Sequence, residues 1–215
     1  VVPNGVDCAY FRPTPEPPSR RILLFTGNMG FPPNVEAAQI LCREILPDIR
    51  RAHPDVEFHL VGLHPGPAVQ ALAGAGVAIH ANVPDMRPHL ESALAYVAPL
   101  MSGAGTRLKL LEAMATGLPI VTTPVGIEGI PASHGREVMI ANDVNAMVRC
   151  VLQLLTDTNT RRQLGAAARK LVEEHFDWPV CLEPLYHLYR PLLLAGVDAP
   201  QTQATDGQPS GRGQG

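Results

Sequence analysis

Short hydrophobic runs alternate with segments of helical periodicity along most of the chain. The first run, 22–27, ends at a glycine, which is typical of a buried strand. After it, apolar positions recur three and four residues apart over 33–53, and this spacing predicts a helix that Pro47 should kink or end. The predicted strands are 22–27, 57–62, 77–80, 93–100, 119–123 and 137–141. The predicted helices are 33–53, 67–73, 86–92, 106–116 and 144–195, the last with breaks near Asp157, Asp177 and Pro179.

The apolar runs do not alternate strictly with polar residues, which indicates strands that are buried on both faces. Such strands occur in parallel sheets that are covered by crossover helices. We therefore predict an α/β domain with a doubly wound, Rossmann-like parallel sheet of about six strands, followed by C-terminal helices. Ligands bind such sheets beyond the carboxyl ends of the strands. The segments to inspect are therefore 27–34, 100–106 and 123–130.

Composition divides the chain into three parts. Residues 1–20 form an entry segment whose proline-rich stretch, 13–18, is predicted to be an extended connector. Residues 21–196 carry the alternating pattern and form the predicted α/β domain. Residues 197–215 are rich in Gly, Gln, Ser, Thr and Pro. This tail is predicted to be disordered, because its few apolar side chains cannot offset the entropy cost of ordering.

The overall charge excludes some classes of function. Seventeen Lys and Arg residues against 20 Asp and Glu give a formal net charge of −3, without a basic run, which argues against nucleic-acid binding. No apolar stretch approaches the roughly 18 residues of a membrane-spanning helix, so we predict no transmembrane segment. The four cysteines are far apart in the sequence, which favours reduced thiols and a cytoplasmic location. The eight histidines lack a metal-type spacing, so we predict no metal ligands.

The segment 102–119 carries the most informative motif. Gly103 and Gly105 precede a predicted helix, and glycines in such a turn let backbone N–H groups approach an anion. Arg107 and Lys109 follow in the first turn of that helix. Cations at this end oppose the helix dipole, and a bound phosphate would remove the conflict. We therefore predict an anion site, with two solvated surface side chains as the alternative interpretation.

Two acidic residues near this motif have two interpretations each. Glu112 lies in an apolar stretch of the helix, where it can accept hydrogen bonds from the vicinal hydroxyls of a sugar or pair with Lys109 three residues earlier. Glu128 lies between Gly126 and Gly129 after the fifth strand, where it can contact a ligand or be the exposed acid of an ordinary turn. The residues alone leave both choices open.

The loop after the first strand is a third candidate. Gly27 and Gly30 are three residues apart, but a third glycine and an acid at the end of the second strand are missing, so we exclude a hydride-transfer Rossmann enzyme. Gly27 and Asn28 are still placed to line a cleft, and Asn34 is predicted to cap the following helix. No Gly-x-Ser-x-Gly or Walker sequence occurs, which argues against hydrolase-triad and P-loop enzymes.

Four segments of the chain share a pattern with a known enzyme family. The most specific, 103–121, has the sequence Gly-Ala-Gly-Thr-Arg-Leu-Lys-Leu-Leu-Glu-Ala-Met-Ala-Thr-Gly-Leu-Pro-Ile-Val. Together with 3–11, 25–35 and 126–130, it resembles the C-terminal, donor-binding half of a GT-B glycosyltransferase, and most of all glycosyltransferase family 4 (group 1). The resemblance covers roughly residues 1–180.

This resemblance implies the transfer of a sugar from a nucleotide-diphosphate sugar to an acceptor with retention of the anomeric configuration. The family's second domain holds the donor, so the resemblance makes residues 21–196 a nucleotide-sugar-binding domain. The donor is a substrate, and no separate cofactor is implied. By resemblance, Glu112 binds the ribose hydroxyls, while Arg107 and Lys109 neutralise the diphosphate. Gly105 and Thr106 would place backbone N–H groups beside the sugar or the phosphate.

The chain departs from the family pattern in two places. Many relatives have a glutamate eight residues before the one that matches Glu112, and this chain has Ala104 there, or Ser102 if the glycine turn is shifted. Many relatives also carry an Arg and a Lys in the loop after the first strand, whereas 28–32 contains no cation. We expect the two cations of the glycine-rich motif to fulfil that role.

The resemblance begins at the segment between the family's two domains. It implies that a first domain outside these 215 residues binds a glycan or lipid-linked acceptor, and that the fragment alone is inactive. In the full-length protein, that domain would also carry any peripheral contact with the inner face of the membrane. One alternative is a truncated, non-catalytic module that binds nucleotide or a partner. A nucleotide-sugar epimerase of the same fold is less favoured, because the glycine-rich motif resembles the transferase pattern.

Overall fold

In the computed structural model, which describes residues 3–14, 18–103, 105 and 107–195, six strands form one parallel sheet. Their order across the sheet is the third, second, first, fourth, fifth and sixth strand along the chain. This arrangement confirms the predicted doubly wound sheet of about six strands. The strands are β1 (Ile22–Asn28), β2 (Glu57–Leu63), β3 (Val77–Ala81), β4 (Ala95–Ala98), β5 (Ile120–Thr122) and β6 (Met139–Ile140).

Helices connect the strands and continue after them. They are α1 (Pro32–Ile40), α2 (Leu46–Ala52), α3 (Pro67–Gln70), α4 (Arg87–Ser92), α5 (Leu108–Ala115), α6 (Val144–Thr156), α7 (Thr158–His175) and α8 (Trp178–Ala195). The predicted break near Asp157 is an N-cap, because its carboxylate accepts hydrogen bonds from the N–H groups of Asn159 and Thr160. Among the described residues, no helix combines the length and the hydropathy needed to cross a bilayer.

The direction of strand addition reverses at the centre of the sheet. From β1 the chain moves outward to β2 and β3, and it then returns to place β4 on the other side of β1. The loops that follow β1 and β4 therefore leave the sheet toward opposite sides, which creates a crevice between them. Open α/β sheets bind ligands at such a reversal, beyond the carboxyl ends of the strands.

The predicted helix 33–53 is continuous but changes its winding before Pro47. A π-helical turn over Leu41–Ile45 separates α1 from α2, and the N–H of Leu46 donates to the carbonyl of Leu41, five residues earlier. Proline has no N–H, and in a regular α-helix its ring clashes with the carbonyl four residues earlier. We attribute the wider turn to this clash, so the proline alters the helix locally without ending it.

Three strands are shorter than predicted. The strands predicted over 93–100 and 119–123 are reduced to Ala95–Ala98 and Ile120–Thr122, and the one predicted over 137–141 is reduced to Met139–Ile140. The last begins late because the buried carboxylate of Glu137 accepts a hydrogen bond from the N–H of Ser133 at 2.9 Å and closes a turn there. The tail 197–215, which the sequence predicts to be disordered, lies outside the described residues.

One arginine joins the N-terminal segment to two helices. The side chain of Arg169 on α7 is only 17% exposed, and it donates to the carbonyls of Cys8 and Phe11 at 2.9 and 2.6 Å. It also donates to the carbonyl of Ala115 at the end of α5. Its Nε lies 2.7 Å from a carboxylate oxygen of Glu173. This guanidinium therefore helps to fix the segment before β1, which backbone hydrogen bonds of Val6 with Phe176 and Trp178 also hold.

Replacement of this guanidinium should destabilise the domain. We expect Arg169→Ala to lower the free energy of unfolding by about 2–4 kcal/mol, because three carbonyls lose a charged donor in a mostly buried position. Lys170→Ala is the matched control, since Lys170 is 75% exposed and its only described ion pair is with Glu174 at 3.8 Å. The control should change stability by less than about 0.5 kcal/mol in urea denaturation. Equal effects of the two substitutions would contradict the structural role of Arg169.

Candidate functional site

The crevice between β1 and β4 opens where the pairing of these strands ends. They pair at only two positions, Leu23–Ala95 and Leu24–Tyr96. At the end of this ladder, the fully buried hydroxyl of Tyr96 accepts a hydrogen bond from the N–H of Thr26 at 3.1 Å and lies 2.8 Å from Thr26 Oγ1. The tyrosine hydroxyl therefore replaces a strand–strand hydrogen bond, and the strands can diverge without leaving this buried N–H unpaired.

Close packing at the end of β1 requires glycine at two neighbouring positions. Gly27 and Gly62 are partners in the β1–β2 register, and a Cβ atom on Gly62 would lie 1.7 Å from the carbonyl oxygen of Gly27. A Cβ atom on Gly27 would lie 2.8 Å from Asn34 Nδ2 and 3.2 Å from Lys109 Nζ. The lack of a side chain at Gly27 therefore lets an amide and an ammonium group approach the backbone of β1.

The ammonium group of Lys109 is held in a partly buried position at the end of β1. Its Nζ donates to Asn34 Oδ1 at 2.5 Å and lies 4.6 Å from the centre of the Phe25 ring. Burial, with a smaller contribution from the Arg107 guanidinium, lowers the pKa of Lys109 to about 8. None of the ion pairs among the described residues includes Lys109. A cation that is desolvated without a counter-charge favours the binding of an anion.

Asn34 does not cap α1, contrary to the prediction. Phe31 is the N-cap residue, it makes no side-chain cap, and prolines occupy the first two helical positions, where no N–H needs a partner. The buried side chain of Asn34 instead donates to the carbonyl of Asn28 at 2.8 Å and accepts from Lys109. Asn34 therefore joins the loop after β1 to α5. Sequence reasoning missed this role because Asn34 and Lys109 are 75 positions apart.

Arg107 joins the glycine-rich turn after β4 to the loop after β5. It is the N-cap residue of α5, so the helix begins at Leu108 and not at 106 as predicted. Its Nη2 donates to the carbonyl of Gly103 at 2.9 Å and to that of Val125 at 3.4 Å. The guanidinium thus fixes two loops at the carboxyl end of the sheet, immediately before the first turn of α5.

Glu112 lies one turn after Lys109 on α5 and is partly buried. Burial raises the pKa of its carboxyl group. Lys109 extends toward Asn34, and the ion pairs among the described residues include none between Lys109 and Glu112. The intrahelical Lys–Glu pair that the sequence allows is therefore not formed. The carboxylate remains available as a hydrogen-bond acceptor beside the crevice.

The other predicted site residues lie on three loops. Asn28 ends β1, and its Oδ1 closes a turn by accepting the N–H two residues later at 3.0 Å. Gly105 is exposed with a φ of 85°, a conformation that favours glycine. Glu128 is exposed in the loop after β5. Thr106, predicted to lie beside the sugar or phosphate, and Ala104 are outside the described residues.

The structure thus brings the residues of two sequence motifs together at the reversal of strand order. Gly27 and Asn28 at the end of β1 meet Lys109 from α5, with Asn34 between them. Arg107 lies at the start of the same helix, where the unpaired N–H groups of the first turn carry partial positive charge. This concentration of positive charge is suited to a phosphate or a diphosphate.

Comparison with protein families agrees with this geometry. The family model described as glycosyl transferases group 1 matches residues 20–157. The matched range contains all six strands and the whole of α5. The chain belongs to this family. The predicted membership is therefore confirmed, and the observed sheet is the Rossmann-like sheet of the GT-B glycosyltransferases.

Curated relatives of this group 1 glycosyltransferase chain are longer than the chain itself. It is 28% identical over 207 residues to a phosphatidyl-myo-inositol mannosyltransferase of Mycolicibacterium smegmatis, covering 91% of this chain and 53% of the relative. It is 24% identical over 164 residues to an uncharacterized 44.6 kDa protein of the cps region of Klebsiella pneumoniae, covering 72% and 42%. The chain therefore spans about half the length of the curated relatives it matches.

Solved structures share the fold at low sequence identity. A sucrose-phosphate synthase from Thermosynechococcus elongatus superposes with a TM-score of 0.70 at 23% identity, over 90% of this chain and 52% of the synthase. Anabaena HepE, in complex with UDP and glucose, gives a TM-score of 0.70 at 14% identity, over 87% and 55%. At these identities the likeness shows the fold alone.

The burial of Lys109 gives a direct test of the site's electrostatics. The chain contains two lysines, Lys109 and Lys170, so protein labelled with [13C]lysine should give two resolvable Cε signals, which Lys170→Arg assigns. We expect the Lys109 signal to titrate with a midpoint near pH 8, because desolvation disfavours its charged form. A midpoint at the ordinary value of 10.5 would contradict the buried position of this ammonium group.

Proposed function

We propose that the chain is the donor-binding half of a retaining glycosyltransferase that uses a nucleotide-diphosphate sugar. The observation that carries this proposal is the partly buried, uncompensated ammonium group of Lys109 at the reversal of strand order. Family membership supports the transfer of a sugar. The geometry supports the assignment of the donor to this domain, because the positive charge lies at the position where such sheets bind ligands.

The diphosphate is proposed to bind between the loop after β1 and the start of α5. Lys109 supplies one charge, and its Nζ lies within 3.2 Å of where a side chain on Gly27 would begin. The loop 28–32 contains no cation. Lys109 on α5 instead places its positive charge at the end of β1, from the opposite side of the crevice. Charge on the nucleotide leaving group grows in the transition state, and fixed cations stabilise it most effectively when they are already desolvated.

Glu112 is proposed to bind the ribose of the nucleotide. An ionised carboxylate has two acceptor oxygens, which can accept hydrogen bonds from two vicinal hydroxyls at once. The partly buried position of Glu112 strengthens such bonds, because less water competes for the carboxylate. Glu112 takes part in no ion pair among the described residues. Arg107, which fixes the loops on either side, would add its charge at the diphosphate.

The acceptor is proposed to bind to another domain. The chain spans about half the length of its curated relatives, and large apolar side chains are exposed along α8. Exposed apolar surface of this kind is typical of an interface.

A glycan or a lipid-linked acceptor would meet the donor between the two halves, in the cytoplasm or at the inner face of the membrane. The fragment alone would therefore bind donor without transferring sugar. The exposed apolar residues are Trp178, Val180, Leu182, Tyr186, Leu188 and Tyr189.

Calorimetric titration with UDP, GDP and ADP tests the donor site and identifies its base. We expect saturable binding of one diphosphate. Lys109→Ala and Glu112→Ala should each weaken this binding at least tenfold, about 1.4 kcal/mol, because each removes a partner from a partly buried site. Circular dichroism of every variant establishes that it is folded.

The matched controls for this titration are Lys170→Ala and Glu174→Ala, which remove the same side-chain types from the exposed surface of α7. Both should bind the nucleotide as the unmodified chain does. Equal loss of affinity in site and control variants, or none in either, would contradict the proposed site. A folded chain that binds none of the three diphosphates would favour the alternative of a non-catalytic interaction module.

The stereochemical part of the proposal is tested on the protein in which this domain is joined to an acceptor-binding domain. We expect the anomeric configuration of the transferred sugar to be the same in donor and product, as the resemblance to family 4 implies. The one-bond coupling between the anomeric carbon and its proton in the NMR spectrum of the product reports this directly. Inversion would overturn the assignment of a retaining mechanism, while leaving the donor site to be judged by the titration.

A further inference from the structure

Three histidines from three elements converge at the outer part of the sheet. His59 lies on β2, His80 on β3 and His89 on α4, and one ligand nitrogen from each ring lies within 4.8 Å of the others. The ring centroids are 4.8 Å apart for His59 and His80, and 4.6 Å apart for His80 and His89. His59 is buried, and the other two are partly buried. Neutral imidazole nitrogens are common ligands of divalent transition metals.

The spacing of these histidines along the chain does not indicate a metal site, and for that reason the sequence predicted no metal ligands. The convergence depends on strand register. His59 pairs with Ala78 and His80 pairs with Val61, so the two histidines are diagonal neighbours on adjacent parallel strands. The connection from β3 then brings His89 on α4 against His80. Only the folded sheet places the three rings together.

The surroundings of the cluster suit metal ligands. Nε2 of His80 is shielded from solvent and makes no hydrogen bond with the described residues, which is unusual for a buried polar atom. A carboxylate oxygen of Glu57 lies 3.3 Å from His59 Nε2, and carboxylates beside imidazole ligands orient the ring and raise its basicity.

The distances require only a small adjustment. In a tetrahedral site with Zn–N bonds of 2.0–2.1 Å, the ligand nitrogens lie about 3.3 Å apart, so nitrogens that are within 4.8 Å must approach by up to about 1.5 Å. Rotations of side chains that are not fully buried can provide this movement. Three histidines would leave a fourth position for water or another ligand.

The cluster is separate from the candidate donor site. His59 is in register with Leu24 of β1, three positions before Gly27, which corresponds to about 10 Å along the strand. His80 lies on the edge strand, and β2 separates that strand from β1. The inference therefore does not rest on the proposed function.

We propose that His59, His80 and His89 bind one divalent transition-metal ion, for which Zn²⁺ is the best match. Imidazole ligands in a four-coordinate arrangement are typical of zinc, which needs no change in oxidation state to act as a structural ion. The ion would link the edge strand β3 and the short helix α4 to β2. Binding of the ion would stabilise this edge of the sheet, because a ligand that binds only the folded state raises the stability of that state.

The test uses the full 215-residue chain without an affinity tag, after removal of metals with EDTA and dialysis. We expect one Zn²⁺ to bind per chain and to raise the melting temperature by about 5 °C or more at saturating metal. Co²⁺ should bind in its place and give the visible absorption of a four-coordinate ion, which reports the coordination geometry directly. Zn²⁺ should then displace Co²⁺ and abolish this absorption.

Substitutions decide whether these three residues are the ligands. His80→Gln and His89→Gln should each abolish the visible Co²⁺ spectrum and the rise in melting temperature. His187→Gln on the exposed surface of α8 is the matched control and should bind as the unmodified chain does. His89 lies on a short surface helix, so its variant should fold even where His80→Gln does not. Absence of stoichiometric binding in the folded chain, or an unchanged Co²⁺ spectrum in His89→Gln, would overturn the proposal.

Discussion

The hydrogen bond between the Tyr96 hydroxyl and the N–H of Thr26 determines where the candidate site can form. It satisfies the backbone of β1 at the point where β4 stops pairing with it, so the two central strands can separate inside the core. The loops that leave these strands then diverge, and α5 begins across the gap. Lys109 can reach the end of β1 only because this gap exists and because Gly27 has no side chain to fill it. The contacts of the site therefore depend on a hydrogen bond that is buried in the core.

The charges at the start of α5 do not favour the stability of the domain by themselves. A cation in the first turn opposes the helix dipole, and burial of Lys109 without a counter-charge is unfavourable enough to lower its pKa to about 8. Asn34 and the Phe25 ring offset part of this cost. Functional sites commonly retain such local destabilisation. A bound diphosphate would convert the same arrangement into a favourable one.

Local patterns along the sequence predicted the sheet and most of the charged residues of the site. Apolar runs, two of which end at glycine, located the strands, and the clustering of Arg107, Lys109 and Glu112 along one short segment followed from the motif itself. The contacts that hold these residues were not predictable, because they join distant positions. Asn34 showed a local capping pattern and instead binds Lys109, 75 residues away. The three histidines likewise meet through strand register, which no spacing rule along one segment can detect.

The two ends of α5 contact different parts of the molecule. At its amino end lie Arg107 and Lys109, and at its carboxyl end the carbonyl of Ala115 accepts a hydrogen bond from Arg169, which also holds the carbonyls of Cys8 and Phe11. An eight-residue helix spans about 12 Å and behaves as a rigid body. Any tilt of this helix that accompanies ligand binding would therefore displace the segment that precedes β1. A change at the crevice would reach the first residues of the chain through one helix and one guanidinium.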